Sequence, residues 1–136
     1  MVLALFSTVF LGLATPAHAG WAPVVTDHRR YSAAITDLAG GRLEEAEAGF
    51  SAILEQDPTC GMARHGRGMA RFRAGDLAGA AQDLGQVVQE FPGRSEGHTA
   101  LSSVRFVQQD FAGAEQAARA AVAADPGAVS YTHLRA

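Results

Sequence analysis

Apolar residues recur along this chain at helical spacing, with small residues at fixed places among them. Two stretches repeat the same offsets of i, i+4, i+7 and i+8: Ala46, Phe50, Ile53 and Leu54, then Ala80, Leu84, Val87 and Val88. Such spacing places the residues on one face of an α-helix. We therefore expect two amphipathic helices that turn this face toward a core.

The same offsets occur a third time with smaller side chains. Ala114, Ala118, Ala121 and Val122 stand at the corresponding positions. Alanine buries less apolar surface than phenylalanine or leucine, so burial stabilises this helix less. We expect the third helix to face the core through these residues and to be the most weakly held.

Three prolines, Pro58, Pro92 and Pro126, stand 34 residues apart and fix the period of the pattern. Each is preceded by an alanine twelve residues earlier and a large apolar residue fifteen earlier. This period is typical of helix-turn-helix units that stack because one unit cannot bury its apolar face alone. The predicted fold is all-α, a right-handed α-solenoid of three 34-residue helix-turn-helix repeats. The three units are residues 27–60, 61–94 and 95–128.

Each unit is expected to hold a helix A, a short turn, a helix B and a turn that carries the proline. The turns between helices A and B are predicted at Gly40-Gly41, Ala74-Gly75 and Gln108-Gln109. Asp76 and Asp110 are placed to cap the second and third B helices, because a carboxylate accepts hydrogen bonds from first-turn amides. Thr26 and Asp27 are the candidate caps of the first A helix.

The second unit carries the most specific motifs. Arg67-Gly68-Met69-Ala70, Gly75-Asp76-Leu77, Ala80 and Phe91-Pro92 resemble the arginine-glycine pair, turn, close-packing alanine and terminal proline of the tetratricopeptide repeat family. The resemblance covers about residues 27–128. Small residues recur where the helices are expected to cross, at Ala34, Gly68 and Ser102. Small side chains permit the close backbone approach that such packing needs.

The A helices depart from the family pattern at two positions. The early tryptophan of the family falls on Arg30, Arg64 and His98 in this chain. The family's tyrosine falls on Asp37, Arg71 and Arg105. Aromatic residues appear one step later, at Phe72 and Phe106.

The resemblance implies that the A helices line a concave groove where a partner binds. The implied groove residues are His28, Tyr31, Ile35 and Leu38, then Met62, His65, Met69, Phe72 and Arg73, then Glu96, Thr99, Ser103, Phe106 and Val107. Such a mixed surface suits an extended or helical peptide, with methionine and aromatic side chains adapting to apolar anchors. The alternative is that Met69, Phe72 and Phe106 simply pack between neighbouring A helices.

Arg64, Arg67 and Arg71 follow one another at i, i+3 and i+7 and share one helix face. One interpretation is a clamp for a peptide carboxylate or phosphate, which guanidinium groups bind in a fork. The favoured interpretation is ion pairing with acids of neighbouring helices, such as Asp37, Glu44, Glu45, Glu47 and Asp83. Family members that grip carboxylates rely on lysine and asparagine in the groove, and this chain contains neither residue.

The two ends of the chain do not follow the repeat. Residues 1–19 read as an export signal: an apolar run ends at Pro16, and Ala17-His18-Ala19 precedes a predicted cut before Gly20. Residues 20–26 are assigned as a linker. Residues 129–136 resemble the translation of a transposase adaptor used in sequencing libraries. We therefore expect a longer natural protein, exported and periplasmic or secreted, without stable membrane insertion after cleavage.

Composition adds mainly exclusions. The formal net charge is only −3, so neither nucleic acid nor anionic lipid is an expected partner. The single cysteine, Cys60, excludes an intramolecular disulfide, and no histidine spacing typical of a metal site occurs. No strained nucleophile turn surrounds Ser102-Ser103. We expect no catalytic residues, metal or cofactor.

Two functional hypotheses follow. The favoured one is a non-catalytic scaffold of the cell envelope that binds a protein or peptide partner in the groove. The alternative is a docking module of a longer exported enzyme, such as a peptidase, whose catalytic domain lies beyond the sequence. Because terminal repeats usually carry a polar cap and the third B helix is alanine-rich, self-association through the C-terminal end is also expected.

Overall fold

A computed structural model describes residues 20–23 and 27–127 of the chain. Residues 27–127 form six α-helices in antiparallel pairs. The helices are α1 (His28–Ala39), α2 (Leu43–Gln56), α3 (Gly61–Ala74), α4 (Leu77–Glu90), α5 (Ser95–Val107) and α6 (Phe111–Ala124). Each helix packs against the next, so the three predicted helix-turn-helix units are confirmed. The predicted export signal and the tail at residues 129–136 lie outside the described residues, as does Thr26.

The turns between paired helices form at the predicted places. Gly41 and Gly75 adopt positive φ angles of 77° and 88°, a left-handed conformation that glycine adopts without steric cost. In the third unit Gln109 takes the equivalent conformation with φ 64°. A side chain with a Cβ pays about 1 kcal/mol or more for that conformation, so the third turn is the least favourable of the three.

Two of the predicted helix caps are confirmed. The Gly79 amide donates to the Asp76 carboxylate at 2.9 Å, and the Gly113 amide donates to Asp110 at 3.0 Å. These bonds satisfy amides of the first turn that lack a partner inside the helix. Asp27 precedes α1 but makes no side-chain cap bond. Its carboxylate instead lies 3.4 Å from the Arg30 guanidinium.

The core consists of two clusters, and each one crosses a unit boundary. The first joins α1 and α2 to α3, and its buried members are Ala34, Ala46, Phe50, Ile53, Leu54, Cys60, Ala63 and Ala70. The second joins α4 to α5 and α6, and its buried members are Ala80, Leu84, Ala100, Leu101, Val104 and Ala117. No unit therefore buries its apolar face alone, as expected for a solenoid.

Small residues stand where paired helices approach each other. A Cβ on Gly68 would lie 2.8 Å from the Leu84 side chain, and a Cβ on Gly49 would lie 2.9 Å from the Cβ of Ala34. In the third unit Ser102 fills the crossing position and donates to the Ala114 carbonyl oxygen at 2.8 Å. The predicted crossing positions are thus confirmed in all three units.

The predicted core stripe of α6 is partly wrong. Ala114 is buried, but Ala118 is exposed and Val122 is 47% exposed, while Ala117 is buried instead. In α2 and α4 the corresponding stripe packs against the A helix of the next unit. No such helix follows α6 within residues 27–127, so this face stays open to solvent.

Candidate functional site

The A helices form a continuous row, because α1 contacts α3 and α3 contacts α5 along the stack. Within each A helix most of the predicted groove residues follow one another at three or four positions and share a face. We call this surface the groove face. It consists of His28, Tyr31, Ile35, Met62, His65, Met69, Phe72, Arg73, Thr99, Ser103 and Phe106, with Leu38, Glu96 and Val107 at its edges.

Eight residues of the groove face are exposed. They are His28, Ile35, Arg73, Glu96, Thr99, Ser103, Phe106 and Val107. Ile35 is 38% exposed and Phe106 is 62% exposed. These side chains are therefore available to a partner at both ends of the row.

The other six residues of the groove face are half-buried, and five of them pack against the core clusters. The Tyr31 ring meets Phe50 edge-on with centroids 5.8 Å apart. Met62 packs against the first core cluster, and Met69 and Phe72 pack against the second. Met69 and Phe72 thus pack against buried residues of α4, α5 and α6. The Phe106 ring instead meets the Phe111 ring, with centroids 5.4 Å apart.

Burial changes the ionisation of two residues on the groove face. Burial lowers the pKa of His65 from its usual 6.5, opposed by the nearby Glu96 carboxylate. For Tyr31, burial raises the pKa of the phenol, with a smaller contribution from Cys60. Both side chains are therefore favoured in their neutral forms.

The arginine row of α3 is tied into ion pairs. Asp83 accepts two hydrogen bonds from Arg67, at 2.8 and 2.9 Å, and one from Arg71 at 3.0 Å. Arg71 also donates to Glu47 at 2.7 Å, and Arg64 donates to Glu90 at 2.9 Å. These pairs connect α3 to both α2 and α4. The ion-pair interpretation is confirmed, and these guanidinium groups already hold carboxylates of the chain itself.

An open depression of about 280 Å³ lies beside two of these arginines. Its lining is Ser51, Leu54, Glu55, Pro58, Arg64 and Arg67. It opens between α2 and α3, away from the groove face. Both arginines there make the ion pairs described above, and Glu55 adds a negative charge, so the depression does not favour an anionic ligand.

Cys60 lies at the start of α3 and is fully buried. Burial raises the pKa of its thiol, so the thiolate that a nucleophile needs is disfavoured. The side chain belongs to the first core cluster. The described part of the chain holds no group of three or more His, Cys, Asp or Glu residues suited to a metal ion.

Sequence reasoning missed one set of contacts. Residues 20–23, assigned to the linker, pack on the second unit, where Trp21 meets Phe91, His65 and Arg94. One feature of the sequence could have indicated these contacts. Trp21 is the only tryptophan of the chain, and a large aromatic residue is uncommon in a segment assigned as a linker.

Comparison with known proteins identifies the fold family. The family model described as Tetratricopeptide repeat matches residues 31–95 and, in a second overlapping match, residues 66–129. The chain belongs to the tetratricopeptide repeat family. Proteins of this family are typically interaction scaffolds. The sequence matches no protein with a curated function.

A solved structure with the same fold is the Sgt2 TPR domain from Aspergillus fumigatus. It superposes with a TM-score of 0.75 at 22% sequence identity, covering 78% of this tetratricopeptide repeat chain and 70% of that chain. At this identity the likeness shows a shared fold only. Among the residues that the structure describes, no helix is both long and apolar enough to cross a membrane.

Proposed function

We propose that this tetratricopeptide repeat protein is a non-catalytic scaffold that holds a protein or peptide partner against the groove face. One observation carries the proposal: three contacting A helices present exposed side chains of mixed character in one row. Exposed apolar residues such as Ile35 and Phe106 offer anchors for a partner's apolar side chains. Thr99 and Ser103 add hydroxyl oxygens that can accept hydrogen bonds, since each hydroxyl already donates to a backbone carbonyl oxygen of α5.

We also propose that the scaffold acts in the cell envelope, as an exported periplasmic or secreted protein. The support is the sequence of residues 1–19, which has the apolar run and small-residue cleavage pattern of an export signal. Processing before Gly20 and recovery of the chain from the periplasm or medium are the expected outcomes of fractionation.

The end of the third unit is a second surface of interest. Phe111 is 58% exposed, and Val122 is also exposed. The equivalent residues of the second unit, Leu77 and Val88, pack against the second core cluster. Self-association through this end stays a prediction, supported by the exposed apolar area.

A paired substitution tests the groove face. Ile35→Ser with Phe106→Ser removes one exposed apolar anchor from α1 and one from α5 without touching the half-buried residues that support the core. We expect partner capture from an envelope extract to fall at least about tenfold, because two apolar contacts of moderate strength are lost.

The matched control is Ala48→Ser with Gln89→Ser, which changes exposed residues of the B helices outside both proposed surfaces. Circular dichroism of both variants is compared with the unchanged chain. Equal capture by the groove variant and the control, with both folded, contradicts the proposed site.

A further inference from the structure

Residues 20–23 lie across the start of α3 and are held there by their backbone. The Gly61 amide donates to the Gly20 carbonyl oxygen at 2.6 Å, and the Met62 amide donates to the Trp21 carbonyl oxygen at 2.8 Å. First-turn amides have no partner inside a helix, so two successive carbonyl groups satisfy them. Carbonyl groups of any peptide supply the same bonds, so these contacts require no particular side chain.

The Trp21 side chain occupies a site built by three elements. Phe91 at the end of α4 meets the indole edge-on with centroids 5.2 Å apart, and His65 of α3 lies at 6.4 Å. The Arg94 guanidinium, from the residue before α5, lies 4.4 Å from the ring centroid. Apolar, aromatic and cationic contacts on one ring select an electron-rich aromatic side chain.

Glycines shape both the site and the segment that fills it. A Cβ on Gly61 would lie 2.5 Å from the Phe91 ring and 2.6 Å from the Trp21 ring. On the segment, Gly20 has φ 86°, and a Cβ there would lie 2.9 Å from the Thr59 carbonyl oxygen. The site therefore fits a tryptophan that follows a glycine.

We propose that the site formed by Gly61, His65, Phe91 and Arg94 binds a glycine-tryptophan segment of a partner peptide, and that residues 20–23 fill it in cis. His65 and Met62 belong to the groove face and also contact residues 20–23, so the site forms one end of that surface. The inference deepens the proposed scaffold function by naming the chemistry of the partner. A tethered segment acts at high effective concentration, so it competes with a free peptide.

Fluorescence of a single tryptophan tests the site directly. In the full-length Trp21→Ala variant, the indole of the probe peptide acetyl-Gly-Trp-Ala-Pro-amide is the only tryptophan in the sample. We expect a saturable blue shift of its emission on binding. A labelled copy of the peptide, followed by fluorescence anisotropy, is expected to bind the unchanged chain several-fold more weakly, because Trp21 competes for the site.

Adding Arg94→Ala to the Trp21→Ala variant is expected to weaken the peptide about tenfold, since the cation–π contact is lost. The control adds Arg119→Ala, an exposed arginine of α6, and keeps the affinity. No saturable shift at millimolar peptide, with the variant folded by circular dichroism, overturns the proposal.

If Trp21→Ala does not fold, the unchanged chain supplies the test. A probe that keeps the indole but does not fluoresce, acetyl-Gly-(4-fluorotryptophan)-Ala-Pro-amide, is expected to displace Trp21 and shift its emission to the red. Constant emission at millimolar probe overturns the proposal. Loss of partner capture in the groove variant leaves these peptide results unaffected, so failure of the proposed function and failure of this site are distinguishable.

Gly61→Ala checks the geometry of the site in the intact chain. The added methyl group is expected to expel the indole, giving red-shifted emission and stronger acrylamide quenching. The matched control is Gly85→Ala in α4, where a Cβ meets nothing within 4 Å. Emission of Gly61→Ala identical to that of the control would show that the indole does not lie on Gly61.

Discussion

Arginine and histidine fill positions of the A helices where the tetratricopeptide repeat family places tryptophan. Arg64 is 7% exposed, and its guanidinium donates to the Pro58 carbonyl oxygen as well as to Glu90. In the next unit the His98 ring nitrogen lies 2.9 Å from the carbonyl oxygen of Pro92. In both units an A-helix side chain thus contacts the carbonyl oxygen of the preceding proline, through a guanidinium in one and an imidazole in the other. A long arginine stem covers apolar surface while its charged end finds acceptors.

At the residue scale, His65 gives a dependence of stability on pH. Burial lowers the pKa of His65 in the folded chain below its usual 6.5. The unfolded chain therefore binds more protons at mildly acidic pH, so stability rises with pH and is lost as pH falls through 6.5 toward the folded pKa.

We expect the urea midpoint to fall between pH 7.5 and pH 5.5 more steeply for the unchanged chain than for His65→Gln. The exposed His28→Gln variant serves as the control and is expected to keep the slope. Parallel curves for the unchanged chain and His65→Gln would contradict the burial of this ring.

At the scale of elements, Asp83 holds three helices together. It is 3% exposed on α4 and accepts from Arg67 and Arg71 of α3, while Arg71 also reaches Glu47 of α2. Removing Asp83 leaves the Arg67 guanidinium without its carboxylate, while Arg71 keeps its bond to Glu47. Every buried side-chain nitrogen or oxygen in the described residues has a hydrogen-bond partner. Loss of the Asp83 carboxylate therefore leaves donors of α3 that can find a new acceptor only by breaking another hydrogen bond.

Asp83→Ala is therefore expected to lower the free energy of unfolding by about 3 kcal/mol. Glu115→Ala, which breaks the exposed pair with Arg119, is expected to cost roughly 0.5 kcal/mol. Urea denaturation followed by circular dichroism measures both. Equal losses for the two variants would refute the account of Asp83 as a connection between helices.

At the scale of the whole molecule, the sequence predicted the stacking because the period repeats in every unit. Core residues such as Phe50 and Leu84 are buried as their spacing indicates. The periodic pattern also predicted Ala118 in the core. That prediction was wrong because the pattern records which residues share a face and not whether a neighbouring helix covers it.

The contacts of Trp21 were beyond sequence reasoning for a different reason. They join residue 21 to residues in α3 and around the α4–α5 turn, and no repeat of the pattern places them together. The groove face was predicted from the family resemblance. Its division into exposed residues and residues that support the core, such as Met69 and Phe72, depends on side-chain packing that the period does not determine.

The most direct test of the scaffold is to ask which face of the solenoid a partner touches. A photo-crosslinking amino acid is placed at Ser103, exposed on the groove face, or at Gln89, exposed on a B helix. We expect a discrete adduct with a partner protein from position 103 and none from position 89, when both chains are irradiated in an envelope extract. An adduct formed equally well from both positions, or only from position 89, would contradict a partner held against the A helices.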